Sequence, residues 1–600
     1  MCKTQPAFYL PDCRRIESLA MGIMEGVKGL NLNSRFSFYP PQPNNPTEVE
    51  RDYLTKYALG ESGRVEDFPY IKKLLSPPPG ITSLGKPGSM KGKTVGIIGG
   101  GLGGLSAAFE LRKMGFDITV YDALKDRVGG RVYTYYFDEG KKYYGEMGPM
   151  RIPVSHNTVW HYINLFGLST KPFIQYDPNA YVFLRNIRVR NDRNGENVQK
   201  YIYPKYHLSD QERKQPWQEL FYEGIETPIL EATPKERTEI LTVKPAYDNK
   251  TLWWDYHSNM QFMEERLTQE AISLVTNFSP LLSGSLYKGY IDFIQEVYPV
   301  SLSYLYEIPG GIQQLPNSFY QSFFNDNPPE YQGIAKESLG RVNYCAGEYV
   351  DAISENRDGK VLLRHRNVDT HQAVVHEFDY VVCAIPFSTL RDVAIEPLFS
   401  DMKMRAIKEL NYITAQKTAM LFNERFWEKE GIVGGASYTD LPVSSLWYPS
   451  DHSKFVSSEE NSPFSRLPDE PGVTLAYNFN LDAVRMTNNY CDDILSNTLY
   501  DVERVHGLKP GYLDTIISGF KYVNWDKEPT FRGSLCFFTP EQKRLFSYPV
   551  TMPEYNGKVF FAGEHISGVH RWMEGAFQSG MKAANDLLLH ASGRENEKMP

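Results

Sequence analysis

Gly99, Gly101 and Gly104 fall at the spacing G-x-G-x-x-G, and Asp122 follows 18 residues after the third glycine. Glycines so spaced make a turn whose backbone N–H groups can face a pyrophosphate, and a carboxylate about 20 residues on can take ribose hydroxyls. Gly99 permits the tight turn, Gly101 lets the backbone approach phosphate, and Gly104 lets a helix close on a strand. The chemistry is the holding of a dinucleotide. Two further features lie downstream. Gly129-Gly130-Arg131-Val132-Tyr133-Thr134 is a second glycine turn carrying a guanidinium, and Arg151 ends the run Gly145-Glu146-Met147-Gly148-Pro149-Met150-Arg151. A guanidinium stays charged at any relevant pH, and its planar fork meets a carboxylate with two hydrogen bonds.

These residues need a scaffold that presents a turn at the end of a strand. Thr94 to Ile98 reads as a buried strand, the pattern is helical from Leu105, and Ile118 to Tyr121 reads as a second strand ending at Asp122. Together they form a βαβ unit whose helix N-terminus faces the phosphates. Val159 to Phe166 has a helical pattern stopped by Gly167. Residues 208–300 are rich in amphipathic helix, Met260 to Val275 among them. Strand character returns at Tyr344 to Ile353, Lys360 to Arg364 and Phe378 to Pro386. Residues 410–540 alternate short strands with turns, including Thr418 to Phe422 and Val473 to Phe479. A strand over Lys558 to Glu564 and a helix from Met573 to His590 close the pattern. Residues 1–90, with proline breaks near Pro40 and Pro78, read as an extended arm.

A chain of 600 residues exceeds one hydrophobic core. Its formal charge of −9 offers no basic surface for nucleic acid. The six cysteines are scattered, with no C-x-x-C pair and no zinc-type spacing, so neither a disulfide framework nor a metal site is expected and a reducing compartment is. The N-terminal run lacks a signal-peptide pattern, and no segment has the roughly 18 continuous apolar residues of a membrane span, so a cytoplasmic protein is expected. No G-x-S-x-G or H-E-x-x-H motif occurs.

The two glycine turns, with Ile308-Pro309-Gly310-Gly311, the strand ending at Pro386 and the closing Phe560-Phe561-Ala562-Gly563-Glu564, resemble the flavin-dependent amine oxidase superfamily from Thr94 to Leu588. The resemblance implies FAD. It assigns the pyrophosphate to the Gly99 loop with Gly101, Gly103 and Gly104, the adenosine ribose to Asp122 with Ala123, and the pyrophosphate and ribityl end to Gly130 and Arg131. Val350 would lie against the adenine and Glu564 beside the ribityl chain. Met150, Trp572 and Met573 would meet the flavin, the last two from a helix N-terminus suited to negative charge. No cysteine occupies the covalent attachment position, which implies non-covalent FAD.

The Gly148-Pro149-Met150-Arg151 run resembles the L-amino acid oxidase branch, where this arginine binds the substrate carboxylate. By the same resemblance Tyr477 supplies a second carboxylate hydrogen bond, Trp572 walls the reacting carbon and Leu535 lines a side-chain pocket. Lys417 would stand near the flavin, assisting dioxygen. Arg571, which replaces the family's glycine before the tryptophan, is expected with Leu535 in the substrate pocket. His257 is a weaker candidate, with a structural role as the simpler reading.

The expected fold is α/β, α+β overall: a Rossmann-like FAD-binding domain, a mixed β-sheet substrate-binding domain and a helical insertion. The boundaries read as an arm over 1–90 packing on the substrate domain, an FAD domain over 91–145, 300–386 and 555–593, a substrate domain over 146–185 and 387–554, and a helical domain over 186–299. The implied reaction is oxidative deamination of an L-amino acid with O2 in a homodimer. An L-amino acid monooxygenase, an amine oxidase without carboxylate recognition and a non-catalytic flavin protein are the alternatives.

Overall fold

The computed structural model describes residues 40–325, 327–453, 469–487 and 491–594. Cys2, Cys13 and the rest of the first 39 residues lie outside the described residues. The segment 42–600 is one compact unit.

At its centre is a parallel sheet built from β1 (Thr94–Ile98), β2 (Asp117–Asp122), β3 (Val342–Ala346), β4 (Tyr380–Cys383) and the strand Val559–Phe561. The spatial order is β3-β2-β1-β4 and then Val559–Phe561, every neighbouring pair being parallel. Val95, Ile97 and Val120, and the whole of β4, are buried, as strands covered on both faces must be. Helix α1 (Leu102–Lys113) begins three residues before the periodicity suggests, because Gly101 already serves as its N-cap. The strand order reverses between β2-β1 and β4, so a crevice opens beyond the carboxyl ends of β1 and β4, where dinucleotides bind in such sheets. The closing helix, Met573–Ala591, crosses α1 so tightly that a Cβ on Gly580 would fall 2.3 Å from the Gly103 carbonyl oxygen.

Helix α2 (Asn157–Leu165) lies where the pattern ending at Gly167 puts it. Beyond it, residues 217–297 hold a run of short helices ending in α3 (Tyr290–Val297). The stretch Met260–Val275 is two helices, Asn259–Glu264 and Gln269–Thr276, rather than one. Thr268 caps the second, and its backbone N–H and hydroxyl are both taken by Glu212, at 2.7 and 2.9 Å. Apolar spacing continues across such a break and conceals it.

A seven-stranded mixed sheet carries β5 (Ala415–Phe422), β6 (Gly472–Phe479) and β7 (Ile517–Asn524), with β5 between the other two. In this register Lys417 stands opposite both Tyr477 and Val523. Two helices, Asn480–Thr487 and Cys491–His506, interrupt the expected alternation of strands and turns. Leu499, Val502 and Val505 of the second are buried in the core beside β5.

The described part of the first 90 residues is not simply extended. Thr47 and Glu50 form a capping box that starts a helix over Glu48–Glu61, and a second helix spans Phe68–Leu74. Arg64 then donates to the carbonyls of Tyr298 at 2.8 Å and Val297 at 3.0 Å, tying this segment to the end of α3.

Candidate active site

One cavity of about 1100 Å³ runs from the Gly99–Gly101 turn, Asp122 and Val350 at one end to Arg151, Lys417 and Tyr477 at the other. Gly103, Ala123, Gly130, Arg131, Met150, Leu535, Glu564, Arg571, Trp572 and Met573 also line it. Of the residues singled out from the sequence only Gly104 and His257 do not. A Cβ on Gly104 would lie 2.0 Å from the Gly99 carbonyl oxygen, so its place is helix-to-strand packing. His257 donates from Nδ1 to the Trp253 carbonyl at 2.7 Å and lies tilted against that tryptophan ring, outside the cavity.

The nucleotide end has the shape a dinucleotide needs. A Cβ built on Gly101 meets nothing nearer than 4.0 Å, so the turn leaves open space on this side, and Gly99 to Gly103 line the cavity there. Asp122 accepts from the Tyr344 hydroxyl at 2.5 Å and from the Leu124 N–H at 3.1 Å, and burial raises its pKa. Tyr344 carries no motif signal, but its place on β3 beside β2 brings its hydroxyl to the acid. Arg131 spends Nη1 on the Ser534 carbonyl (2.7 Å) and on Glu564 (3.0 Å), while Nε and Nη2 keep no protein partner among the described residues. Glu564 also accepts from the Cys536 and Arg571 N–H groups. Burial pushes its carboxyl up, but Arg131 and the neighbouring histidines outweigh that and hold its pKa low. Trp572 is the N-cap of the closing helix, and its Nε1 is buried without a partner. An open turn, a helix N-terminus, a half-used guanidinium and an orphaned indole N–H along one cavity fit FAD.

The other end is built around charge. Arg151 donates from Nη1 to Gln175 at 2.8 Å, and its guanidinium lies 5.0 Å from the Trp447 ring centroid. It makes no ion pair among the described residues, and burial lowers its pKa. Gln175 and Trp447 had no sequence signal, since they reach Arg151 from separate segments. Lys417 is 1% exposed and donates to the Gly148 carbonyl at 2.6 Å and the Glu146 carbonyl at 3.0 Å. Its ammonium lies 4.4 Å from the Tyr477 ring centroid. Burial brings its pKa down to about 7, opposed by Glu146 and assisted by Arg151. Burial raises Glu146 to about 7 against hydrogen bonds from the Ile312 N–H and the Thr134 hydroxyl.

Arg571 departs from what a pocket residue offers. Its φ of 73° is left-handed, the region that favours glycine. Its side chain is 2% exposed, with Nε on Glu296 at 2.9 Å, Nη1 on Asp292 at 2.5 Å and Nη2 on the Asp292 carbonyl. Arg571 borders the cavity with each of its three guanidinium nitrogens already partnered.

Fold and cavity together define a flavin-dependent oxidoreductase, and the chain belongs to the flavin containing amine oxidoreductase family, whose model matches residues 102–588. It is an FAD-dependent oxidase. The chain is 29% identical over 520 residues to an L-amino-acid oxidase of Sistrurus catenatus edwardsii, covering 85% of this chain and 88% of that one. An L-amino-acid oxidase of Pseudechis australis is 29% identical over 503 residues, 83% and 87% of the two chains. Among solved structures, a putrescine oxidase bound to putrescine superposes with a TM-score of 0.61 at 16% identity, over 83% of this chain and 99% of that one. Cyclohexylamine oxidase from Brevibacterium oxydans IH-35A gives 0.60 at 16% identity, over the same shares. Among the described residues no helix is long and apolar enough to cross a membrane.

Proposed function

We propose that this enzyme is an L-amino acid oxidase, releasing a 2-oxo acid, ammonia and H2O2. The observation that carries the reading is Arg151, a guanidinium in the cavity wall that makes no ion pair with any described carboxylate. A cation held there by a neutral amide and an indole face is ready for an anionic ligand. An amino acid has such a group beside the carbon to be oxidised, and a simple amine has none. Bound non-covalently, FAD supplies the acceptor for the two electrons and hydrogen of the Cα–H bond and is returned to its oxidised form by O2.

The residues of this chain do the positioning. Arg151 takes the carboxylate in two hydrogen bonds and the Tyr477 hydroxyl gives a third, which leaves Cα one orientation. Trp572 walls the reacting carbon. The amine reacts in its neutral form, its lone pair assisting as hydrogen leaves Cα, so no strong protein base is called for. The imino acid that results takes up water to give the 2-oxo acid and ammonia. Lys417, cationic below about pH 7, stabilises negative charge developing on dioxygen.

The test compares an L-amino acid with its decarboxylated amine on wild type and Arg151→Met. The variant is expected to lose roughly 2–5 kcal/mol of transition-state binding for the amino acid, about 30- to 4000-fold in kcat/KM. The amine is expected to change little. Equal effects on both would sink the carboxylate role, and an amide product in place of H2O2 and 2-oxo acid would make the enzyme a monooxygenase.

A further inference from the structure

Helix α3 places two carboxylates, Asp292 and Glu296, one turn apart against Arg571. Asp292 is saturated, with Oδ1 on His570 Nδ1 at 2.7 Å and Oδ2 on Arg571. His570 Nε2 is buried with no partner. The Arg571 guanidinium is thus shared between the two carboxylates.

Of the two, Glu296 is the one with an oxygen left over. Its Oε1 accepts from Arg571, its Oε2 has no partner among the described residues, and the residue is 6% exposed on the wall of the cavity. Its field reaches Arg151 and Tyr477. A half-partnered carboxylate in a closed site is costly until a cation arrives. The α-amino group is a poor candidate for that cation, because it must lose its proton before Cα is oxidised and a carboxylate against it would keep the proton on. A cation farther along the substrate does not have this difficulty. Phe293 and Val297 of α3, with Phe221 and Leu281, give apolar wall for an aliphatic stem, and Glu226 is a second acid in the same wall.

We infer that Glu296 makes this site select L-amino acids whose side chains end in a cation, such as L-lysine, L-ornithine and L-arginine. The inference rests on the amino acid oxidase reading and narrows it to one substrate class. Arg151 takes one end of the molecule and Glu296 the other.

The deciding comparison is L-lysine against L-norleucine, which has the same carbon chain without the terminal ammonium. Wild type is expected to prefer lysine by about tenfold or more in kcat/KM, since a site built for a polar group rejects the analogue lacking it. Glu296→Gln should lower the lysine-to-norleucine ratio by a similar factor, mainly through KM, and Glu296→Asp should keep part of it. A second readout needs no turnover: 6-aminohexanoate, lysine without its α-amine, should raise the melting temperature of the wild-type holoenzyme more than hexanoate does, and Glu296→Gln should reverse that order. A wild-type preference for norleucine overturns the inference and requires no variant to fold. So does an equal loss on both substrates in Glu296→Gln, which would put the carboxylate on the α-amine or in the fold. Oxidation of no L-amino acid at all would remove the underlying reading, and the inference with it.

Discussion

At the scale of single residues, the cavity separates groups with charge to spend from groups already spent. Lys417 is the first kind. Its pKa of about 7 makes it cationic below that pH and neutral above, so its help to dioxygen is present at low pH and lost as pH rises through 7. The second-order rate constant for O2 is therefore expected to fall across that window, and Lys417→Met should flatten the profile and lie roughly 10²-fold below the low-pH wild-type rate. Glu146 titrates in the same range, so the step belongs to the pair. A wild-type profile flat from pH 6 to 8 would remove Lys417 from this role. Arg571 is the second kind. Replacing it with glycine relaxes a left-handed backbone worth about 1 kcal/mol. It also strands two buried carboxylates, at a cost of about 3–5 kcal/mol. Arg571→Gly should therefore melt several degrees below wild type, and a variant at least as stable would show that the ion cluster contributes nothing.

At the scale of elements, two glycine contacts set how closely helices approach the nucleotide turn, and only one was legible. Gly104 stands in a recognisable motif. Gly580, 2.3 Å from the Gly103 carbonyl oxygen once given a Cβ, stands in none. Gly104→Ala must push α1 away from the turn, since its Cβ would meet the Gly99 carbonyl oxygen at 2.0 Å. The purified variant is expected to lack the visible absorbance of bound flavin while keeping its far-ultraviolet circular dichroism. Full flavin content would mean that the turn yields without cost. β1 and β4 were readable as buried apolar runs, and β2 because Ile118, Val120 and Tyr121 lead straight into the acid at Asp122. The helices Asn480–Thr487 and Cys491–His506 were not, because short apolar spacing between strands fits more than one period.

At the scale of the whole molecule, the cavity wall is drawn from segments as far apart as Ser62 and Trp572, so filling it links most of the chain. FAD bound only to the folded state adds stability by mass action, roughly 2.7 kcal/mol at a hundredfold excess over Kd. The apoprotein is expected to melt below the holoenzyme, with the difference growing as free FAD is raised. A melting temperature independent of FAD concentration would indicate that the folded state gains nothing from occupancy.

The sequence by itself determined what is local in the chain. The Gly99 turn with its flanking strand and helix, the second turn at Arg131 and the Arg151 motif each carry their meaning within a few residues, because turn geometry and helix N-termini are set by near neighbours. Charge balance is not local. Gln175 and Trp447 leave Arg151 unpaired, Tyr344 reaches Asp122 across β2 and β3, and Arg571 consumes one of two acids supplied 275 and 279 residues earlier. Whether a charge is free or cancelled depends on which segments the fold brings within a few ångströms, and that was decided only in three dimensions.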